Sequence, residues 1–161
     1  VTLLVGQKIP KAILKTMGAK DPEEVITTDL FAQKKTVLFA VPGAYTPTCS
    51  AKHLPGYVAK AADFKARSVD LVACLSVNDV FVMDAWGRDQ KAGDAVMMLA
   101  DGSAAFTQAL GLDIDLTAAG FGIRSKRYAM VIEDCVVTAL EIEESPGILD
   151  VSAADRVLLK L

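Results

Sequence analysis

Among its 161 residues the chain has three cysteines, Cys49, Cys74 and Cys135, and a single histidine, His53. Cys49 closes the run Val41-Pro42-Gly43-Ala44-Tyr45-Thr46-Pro47-Thr48-Cys49, directly after an apolar segment, Thr36 to Val41, that reads as a buried strand. A turn and then a helix must follow such a strand, so the thiol falls in the first helical turn. There the unpaired N–H groups and the positive end of the helix dipole favour a thiolate over a thiol. The pattern therefore points to an activated sulfur nucleophile. His53, four residues on and so on the same helix face, invites a Cys-His protease reading. That reading fails, because a base so close on one helix and followed by Pro55 cannot readily approach the sulfur in line while a third group orients it. With one histidine and no C-x-x-C pair, neither a catalytic metal nor a zinc site is expected.

Composition excludes other classes. The 17 basic and 20 acidic residues give a net charge of −3, and no Lys/Arg run exceeds two, so nucleic acid is a poor partner. Apolar residues make up 52% of the chain, yet no apolar stretch approaches the roughly 18 residues needed to cross a bilayer, and no membrane partner is expected. An odd number of unclustered cysteines fits free thiols in a reducing compartment better than a disulfide framework. The sequence starts at Val1 and shows no signal-like segment, consistent with a targeting peptide removed ahead of it. The compartment, cytoplasmic or organellar, stays open.

The elements that must position Cys49 alternate between strand and helix, the signature of an α/β domain, and the whole of residues 1–161 reads as one such domain. Thr36 to Val41 and Asp70 to Ser76 lack polar alternation, as expected of central strands covered on both faces. Between them a helix is predicted from about Thr48 to Ala66, kinked at Pro55-Gly56, with Leu54, Val58, Ala61 and Ala62 toward the sheet. Asn78 or Asp79 can cap a helix through about Lys91, Val96 to Ala100 reads as a third core strand, and Ser103 opens a short helix stopped by Gly111. Tyr128 to Ile132 and Val136 to Ile142 form a predicted hairpin turning near Glu133-Asp134-Cys135, and Ser152-x-x-Asp155 is expected to cap a last helix. The stretch Asp113 to Arg127, with Gly120-Phe121-Gly122 and the basic residues Arg124, Lys126 and Arg127, reads either as a functional loop or as a solvated basic turn. Trp86 with Phe81 and Val82 reads as core or dimer surface.

Three separated stretches carry a family resemblance. Pro42-x-x-x-Thr46-x-x-Cys49 resembles the active-site motif of the peroxiredoxins, thiol peroxidases on a thioredoxin fold. The longer run Val41 to Ser50, with Lys52-His53-Leu54-Pro55-Gly56 and Cys74-Leu75-Ser76-Val77-Asn78-Asp79, is similar to the short atypical group called type II in plants and related to the fifth mammalian class. Leu112 to Leu116 and Arg124-Ser125-Lys126-Arg127-Tyr128-Ala129 extend the likeness over nearly the whole chain. The resemblance implies a thioredoxin fold with a central mixed sheet flanked by helices, no cofactor, and a homodimer paired through a small apolar face beside the site.

It also implies residue roles. Cys49 matches the peroxidatic cysteine, whose thiolate takes one peroxide oxygen to become a sulfenic acid. Thr46 matches the threonine that orients peroxide, Arg127 the arginine that hydrogen-bonds thiolate and peroxide, and Pro42 the proline that shields the thiolate from water. His53 is expected to be structural or to line the pocket. A magnitude explains why ionisation alone cannot suffice. At pH 7 a cysteine of pKa about 8.5 is already a few per cent thiolate, so complete ionisation gains at most roughly 30-fold, and lower basicity erodes nucleophilicity. A large acceleration needs donors that hold the separating peroxide oxygens more tightly in the transition state. Arg127, Thr46 and the Cys49 backbone N–H are the candidates.

Cys74 matches the second cysteine of the plant type II proteins, where a disulfide resolves the sulfenic acid. Mid-strand burial makes that awkward, since a disulfide needs Cα atoms within about 7 Å, and opening of the first helical turn would be required. The mammalian class has its resolving cysteine near the C-terminus, but Gly147 to Ser152 contains none, and Cys135 reads as a bystander. The expected partners are a peroxide and a thiol reductant, glutaredoxin, glutathione or thioredoxin. The same thiol could instead serve a peroxide sensor or relay that passes oxidation to a partner protein. A thioredoxin-fold binding module without chemistry would carry an ordinary thiol.

Overall fold

A computed structural model describes residues 2–161. In chain order the elements are β1 (Ile13–Met17), β2 (Pro22–Ile26), α1 (Thr27–Leu30), β3 (Lys35–Ala40), a π-helical turn (Cys49–His53), α2 (Leu54–Ala59), α3 (Ala61–Ala66), β4 (Leu71–Ser76) and α4 (Val80–Asp89). There follow β5 (Met97–Ala100), α5 (Ala105–Ala109), β6 (Asp113–Asp115), a 3₁₀ turn (Thr117–Ala119), β7 (Ile123–Ser125), β8 (Tyr128–Glu133), β9 (Val136–Ile142) and α6 (Ala154–Leu158). Seven strands form one sheet in the order β2-β1-β5-β4-β3-β8-β9, with β3, β4 and β5 parallel and β8 antiparallel to β3. This is the mixed, helix-flanked sheet of a thioredoxin fold.

The central strands are apolar at successive positions because both faces are covered. Val37, Phe39 and Cys74 point to the layer holding Leu54, Tyr57, Phe64, Met83, Trp86 and Val157, from α2, α3, α4 and α6. Leu38, Ala40, Ala73 and Leu75 point the other way, against Phe31, Phe106 and Leu110 beside α1 and α5. Cys49 and Cys74 lie in the first layer, and Cys135 packs against the second. The parallel strands β3 and β4 end on the same edge, and the turn leading to Cys49 leaves from that edge, the usual place for a site in an open α/β sheet.

Several details depart from the sequence reading. The predicted Thr48 to Ala66 helix is three pieces. A wide π turn precedes Pro55, which then enters α2 near its start, where its missing N–H leaves no bond unmade. The break falls at Lys60 (φ −99°, ψ 9°), not at Pro55-Gly56. These changes rotate the buried face, so Tyr57 and Phe64 are the core anchors, Val58 and Ala61 are half-buried, and Ala62 is exposed. Ser103 does not cap α5; the Asp101 carboxylate accepts from Phe106 N, Thr107 N and Thr107 Oγ1 instead. Ser152 does not cap α6 either, because its hydroxyl is committed to Glu143. Trp86 belongs to the core and Phe81 to the surface. The β1–β2 hairpin, which sequence patterning left unassigned, extends the sheet beyond β5. The predicted hairpin is present, its two turn residues Asp134 and Cys135 both at positive φ, matching the right-handed strand twist.

Asp79 rather than Asn78 caps α4, its Oδ1 accepting from Val82 N at 2.9 Å. Asp79→Ala is expected to lower the unfolding free energy by about 1 kcal/mol, measured by urea denaturation.

Candidate active site

Strand alternation brings Arg127 to Cys49. Tyr128 pairs with Ala40 at the end of β3, and its ring lies in the layer beside Phe106. The preceding residue must therefore face the opposite layer, level with the turn that leaves β3. Arg127 sits there, 2% exposed, and its three nitrogens each find one acceptor. Nη2 donates to Cys49 Sγ at 3.0 Å, Nη1 to His53 Nδ1 at 2.8 Å, and Nε to the Pro146 carbonyl at 3.0 Å. Cys49 itself is fully buried.

The arginine fixes the histidine's proton. Guanidinium can only donate, so Nδ1 accepts and the ring hydrogen lies on Nε2, which donates to the Ser152 carbonyl at 3.2 Å. The same carbonyl accepts from Tyr57 Oη at 2.7 Å, and Phe39 stacks on the Tyr57 ring with centroids 3.9 Å apart. A neutral His53 thus buttresses the arginine rather than serving as a base toward sulfur, which makes specific the structural role expected for it.

Thr46 lies one turn before Cys49, its carbonyl accepting from Ser50 N at 2.9 Å. Its hydroxyl donates to Gly43 O at 2.7 Å, which leaves the oxygen lone pairs free to accept. Pro42 is buried, and its carbonyl accepts from Arg124 Nη1 at 3.3 Å. A Cβ on Gly43 would stand 2.8 Å from that same Nη1 and 3.1 Å from Thr46 Cγ2, so the close approach of Arg124 depends on the glycine. The Asp113 to Arg127 stretch is therefore a small β6–β7 hairpin that delivers one arginine to the turn and another to the sulfur, whereas Lys126 takes no part in these contacts.

Two residues for which the sequence reading offered other roles, Asn78 as a possible helix cap and Trp86 as core or dimer surface, also hold the turn. Asn78 Oδ1 accepts from Ala44 N at 3.0 Å and from Ser76 Oγ at 2.6 Å, tying the turn to the end of β4. Trp86 Nε1 donates to Ser50 Oγ at 3.0 Å. The Cys-Leu-Ser-Val-Asn-Asp run was a signal for the first, because an amide just past a strand end is placed to bond neighbouring backbone. Cys74 is buried in the same layer as Cys49 without a disulfide between them, and burial pushes its thiol well above the ordinary range. Cys135 Sγ contacts Thr28 O at 3.4 Å, far from the others in the opposite layer. Among the described residues, no group of three or more His, Cys, Asp and Glu side chains is placed to hold a metal ion, and no helix is long and apolar enough to cross a membrane.

Burial first, then the Arg127 charge, lowers the His53 pKa to about 3, against a raising effect of the Ser152 bond. In the unfolded chain the ring titrates near 6.5. Between these values the unfolded state binds a proton that the folded state refuses, so stability rises with pH across the window and is lost as pH falls. From this group the unfolding free energy should drop by at most about 1.4 kcal/mol per pH unit below pH 6.5. Urea titrations at pH 7 and 5.5 are expected to show that difference in the wild type and a smaller one in His53→Gln.

Residues 4–158 match the Redoxin family. The chain is 46% identical to chloroplastic peroxiredoxin-2E of Arabidopsis thaliana over 160 residues, 97% of this chain and 68% of that protein. It is 42% identical to peroxiredoxin-2B of the same plant, over 99% of this chain and 98% of that one. Among solved structures, reduced Prx3 of Vibrio vulnificus in complex with hydrogen peroxide superposes with a TM-score of 0.94 at 50% identity, covering 99% of each chain. A buried cysteine held by an arginine at the edge of this sheet, and these relatives at such identity, lead to one conclusion: the chain belongs to the Redoxin family and is a peroxiredoxin of the kind called type II in plants, a thiol-dependent peroxidase.

Proposed function

We propose that Cys49 is the peroxidatic residue and that the chain, acting as one thioredoxin-fold domain, reduces hydrogen peroxide and alkyl hydroperoxides. The observation that carries this reading is the Arg127 Nη2 to Cys49 Sγ bond of 3.0 Å in a site closed to bulk water. The sulfur pair of the thiolate attacks one peroxide oxygen and the O–O bond breaks. The other oxygen leaves as alkoxide or hydroxide and takes up a proton, and the sulfur, oxidised by two electrons, becomes a sulfenic acid. Arg127 donates toward the sulfur and the incoming oxygen, and the Thr46 hydroxyl, its own hydrogen spent on Gly43, accepts from the peroxide O–H. Pro42 closes the side toward solvent. Arg127 donates where charge develops, which is where a donor lowers the barrier; Thr46, expected from the sequence as a further donor, orients the peroxide as an acceptor.

Resolution needs a second thiol. A fully buried sulfur admits a peroxide more easily than a protein or tripeptide thiol, so the π turn must open locally for recycling by glutaredoxin, glutathione or thioredoxin. Cys74, buried and held as a thiol, becomes a resolving partner only through the same opening. Exposed Tyr45, Phe81, Phe121 and Ile123 support a homodimer. The compartment is a reducing one, cytoplasmic or organellar; the chloroplast named for two plant relatives supports the latter.

Cys49→Ser should abolish peroxide consumption in a reductant-coupled assay. Arg127→Lys should lower the rate constant of Cys49 with peroxide at least about tenfold, because one ammonium cannot serve Cys49, His53 and Pro146 at once; a fully active Cys49→Ser would sink the assignment. Intact mass after one equivalent of hydrogen peroxide, without added thiol, reads the resolution step. A gain of about 16 Da marks a sulfenic acid awaiting an external thiol, and a loss of about 2 Da that disappears in Cys74→Ser marks an internal disulfide.

A further inference from the structure

We propose that Glu143 is a positioning residue for the Cys49–Arg127 pair, acting through Ser152 and His53 without touching the sulfur; this rests on the peroxidase reading above. Glu143 follows the last residue of β9, and Ile142 pairs with Tyr128, so register alone puts it beside Arg127. Its N–H donates to the Arg127 carbonyl at 2.9 Å. The side chain turns inward, 8% exposed overall, and one oxygen, Oε2, accepts from Asp150 N at 2.7 Å, Ser152 N at 2.9 Å and Ser152 Oγ at 2.6 Å. Burial by itself would raise this carboxyl, but the hydrogen bonds from Ser152 and the backbone N–H groups outweigh it and hold the group below the usual carboxylate range.

Those bonds close residues 143–152 into a loop whose carbonyls face the site. The Pro146 carbonyl takes Arg127 Nε, Gly147 O takes Thr48 Oγ1 at 3.4 Å, and Ser152 O takes both His53 Nε2 and Tyr57 Oη. Two of the three anchors of the guanidinium therefore depend on this loop, one directly and one through the histidine. The second dependence is chemical as well as steric. An acceptor at Nε2 selects the tautomer whose Nδ1 lone pair faces Arg127. With the Ser152 carbonyl displaced, the other tautomer would turn an N–H toward the guanidinium, donor against donor, and the Nη2 bond to sulfur would lose its alignment.

Because His53 is the only histidine, the imidazole ¹⁵N spectrum of untagged protein reports this tautomer by itself. The experiment compares wild type and Glu143→Gln by that spectrum and by the single-turnover rate constant of reduced Cys49 with hydrogen peroxide. Glu143→Gln is expected to mix the two tautomers and to slow the reaction about tenfold, within what small misplacement of a reacting group costs. An unchanged spectrum and a rate within twofold of wild type would overturn the proposal. So would a slower reaction with an unchanged spectrum, which would mean loop closure alone, or a mixed spectrum at full rate. If Glu143→Gln does not fold, Ser152→Ala takes its place, since it keeps the carbonyl and both N–H groups and removes only the Oγ bond. The same two changes are then expected, at about threefold in rate, and no change in either overturns the proposal. A wild type that reacts slowly with peroxide would overturn the peroxidase reading and, with a Glu143-dependent tautomer, leave the positioning network standing.

Discussion

A guanidinium with almost no surface in water must have an acceptor for each group it buries, or the desolvation it suffers goes uncompensated. Each of the three Arg127 nitrogens gives one N–H to an acceptor, a histidine lone pair, a loop carbonyl and a cysteine sulfur. Two of these acceptors are rigid protein, and the third is the sulfur proposed above as the nucleophile. The protein thus uses the general requirement that buried donors be satisfied to aim a permanent cation at one sulfur. Much of the surrounding architecture follows from keeping that fork in place. β8 sets its depth, His53 and Pro146 set its angle, and the 143–152 loop holds both of them.

The π turn at Cys49–His53 belongs to the same arrangement. An extra residue in the turn widens the helix at the point where Pro55 could not have accepted a regular continuation, and it keeps Cys49 and His53 both facing the arginine. A helix interrupted here and again at Lys60 has fewer cooperative bonds than one of its full length. That weakness suits the role proposed for Cys49, sealed when it meets a peroxide and opened when it meets a second thiol. Cys49 and Cys74 are fully covered in one layer, which sets the two proposed needs against each other, and the local opening proposed above would reconcile them.

Legibility in the sequence differed by the range of the interactions involved. The central strands β3, β4, β5 and β8 were readable because their cover on both faces leaves no polar alternation, and the edge strand β9 because a tight turn joins it to β8. Cys49, Thr46, Pro42 and Arg127 were singled out through a resemblance whose motifs are short and local, and the structure brings Arg127 to Cys49. Two of the misreadings, at Ser103 and Ser152, were competitions over a hydrogen bond. Ser152 fits a capping pattern, yet Glu143 takes its hydroxyl, and Ser103 stands near a helix start whose N–H groups Asp101 already serves. Local pattern cannot show whether a serine will accept from helix N–H groups, give its hydroxyl to a carboxylate instead, or lose those N–H groups to one.

By itself, then, the sequence determined the alternation of strand and helix, the buried strand that leads to Cys49 and the helical segment that follows it, since these follow from apolar periodicity and from Gly and Pro within a few residues. Only the tertiary structure decided the site's electrostatics. The Arg127 to Cys49 bond spans 78 positions, the Arg127 to His53 bond 74, and the His53 to Ser152 bond 99. Contacts at such separation exist because β8 folds back antiparallel on β3 and β9 returns the chain beside it. The tautomer of His53 and the aim of the guanidinium are set there, by partners that no local window of residues contains.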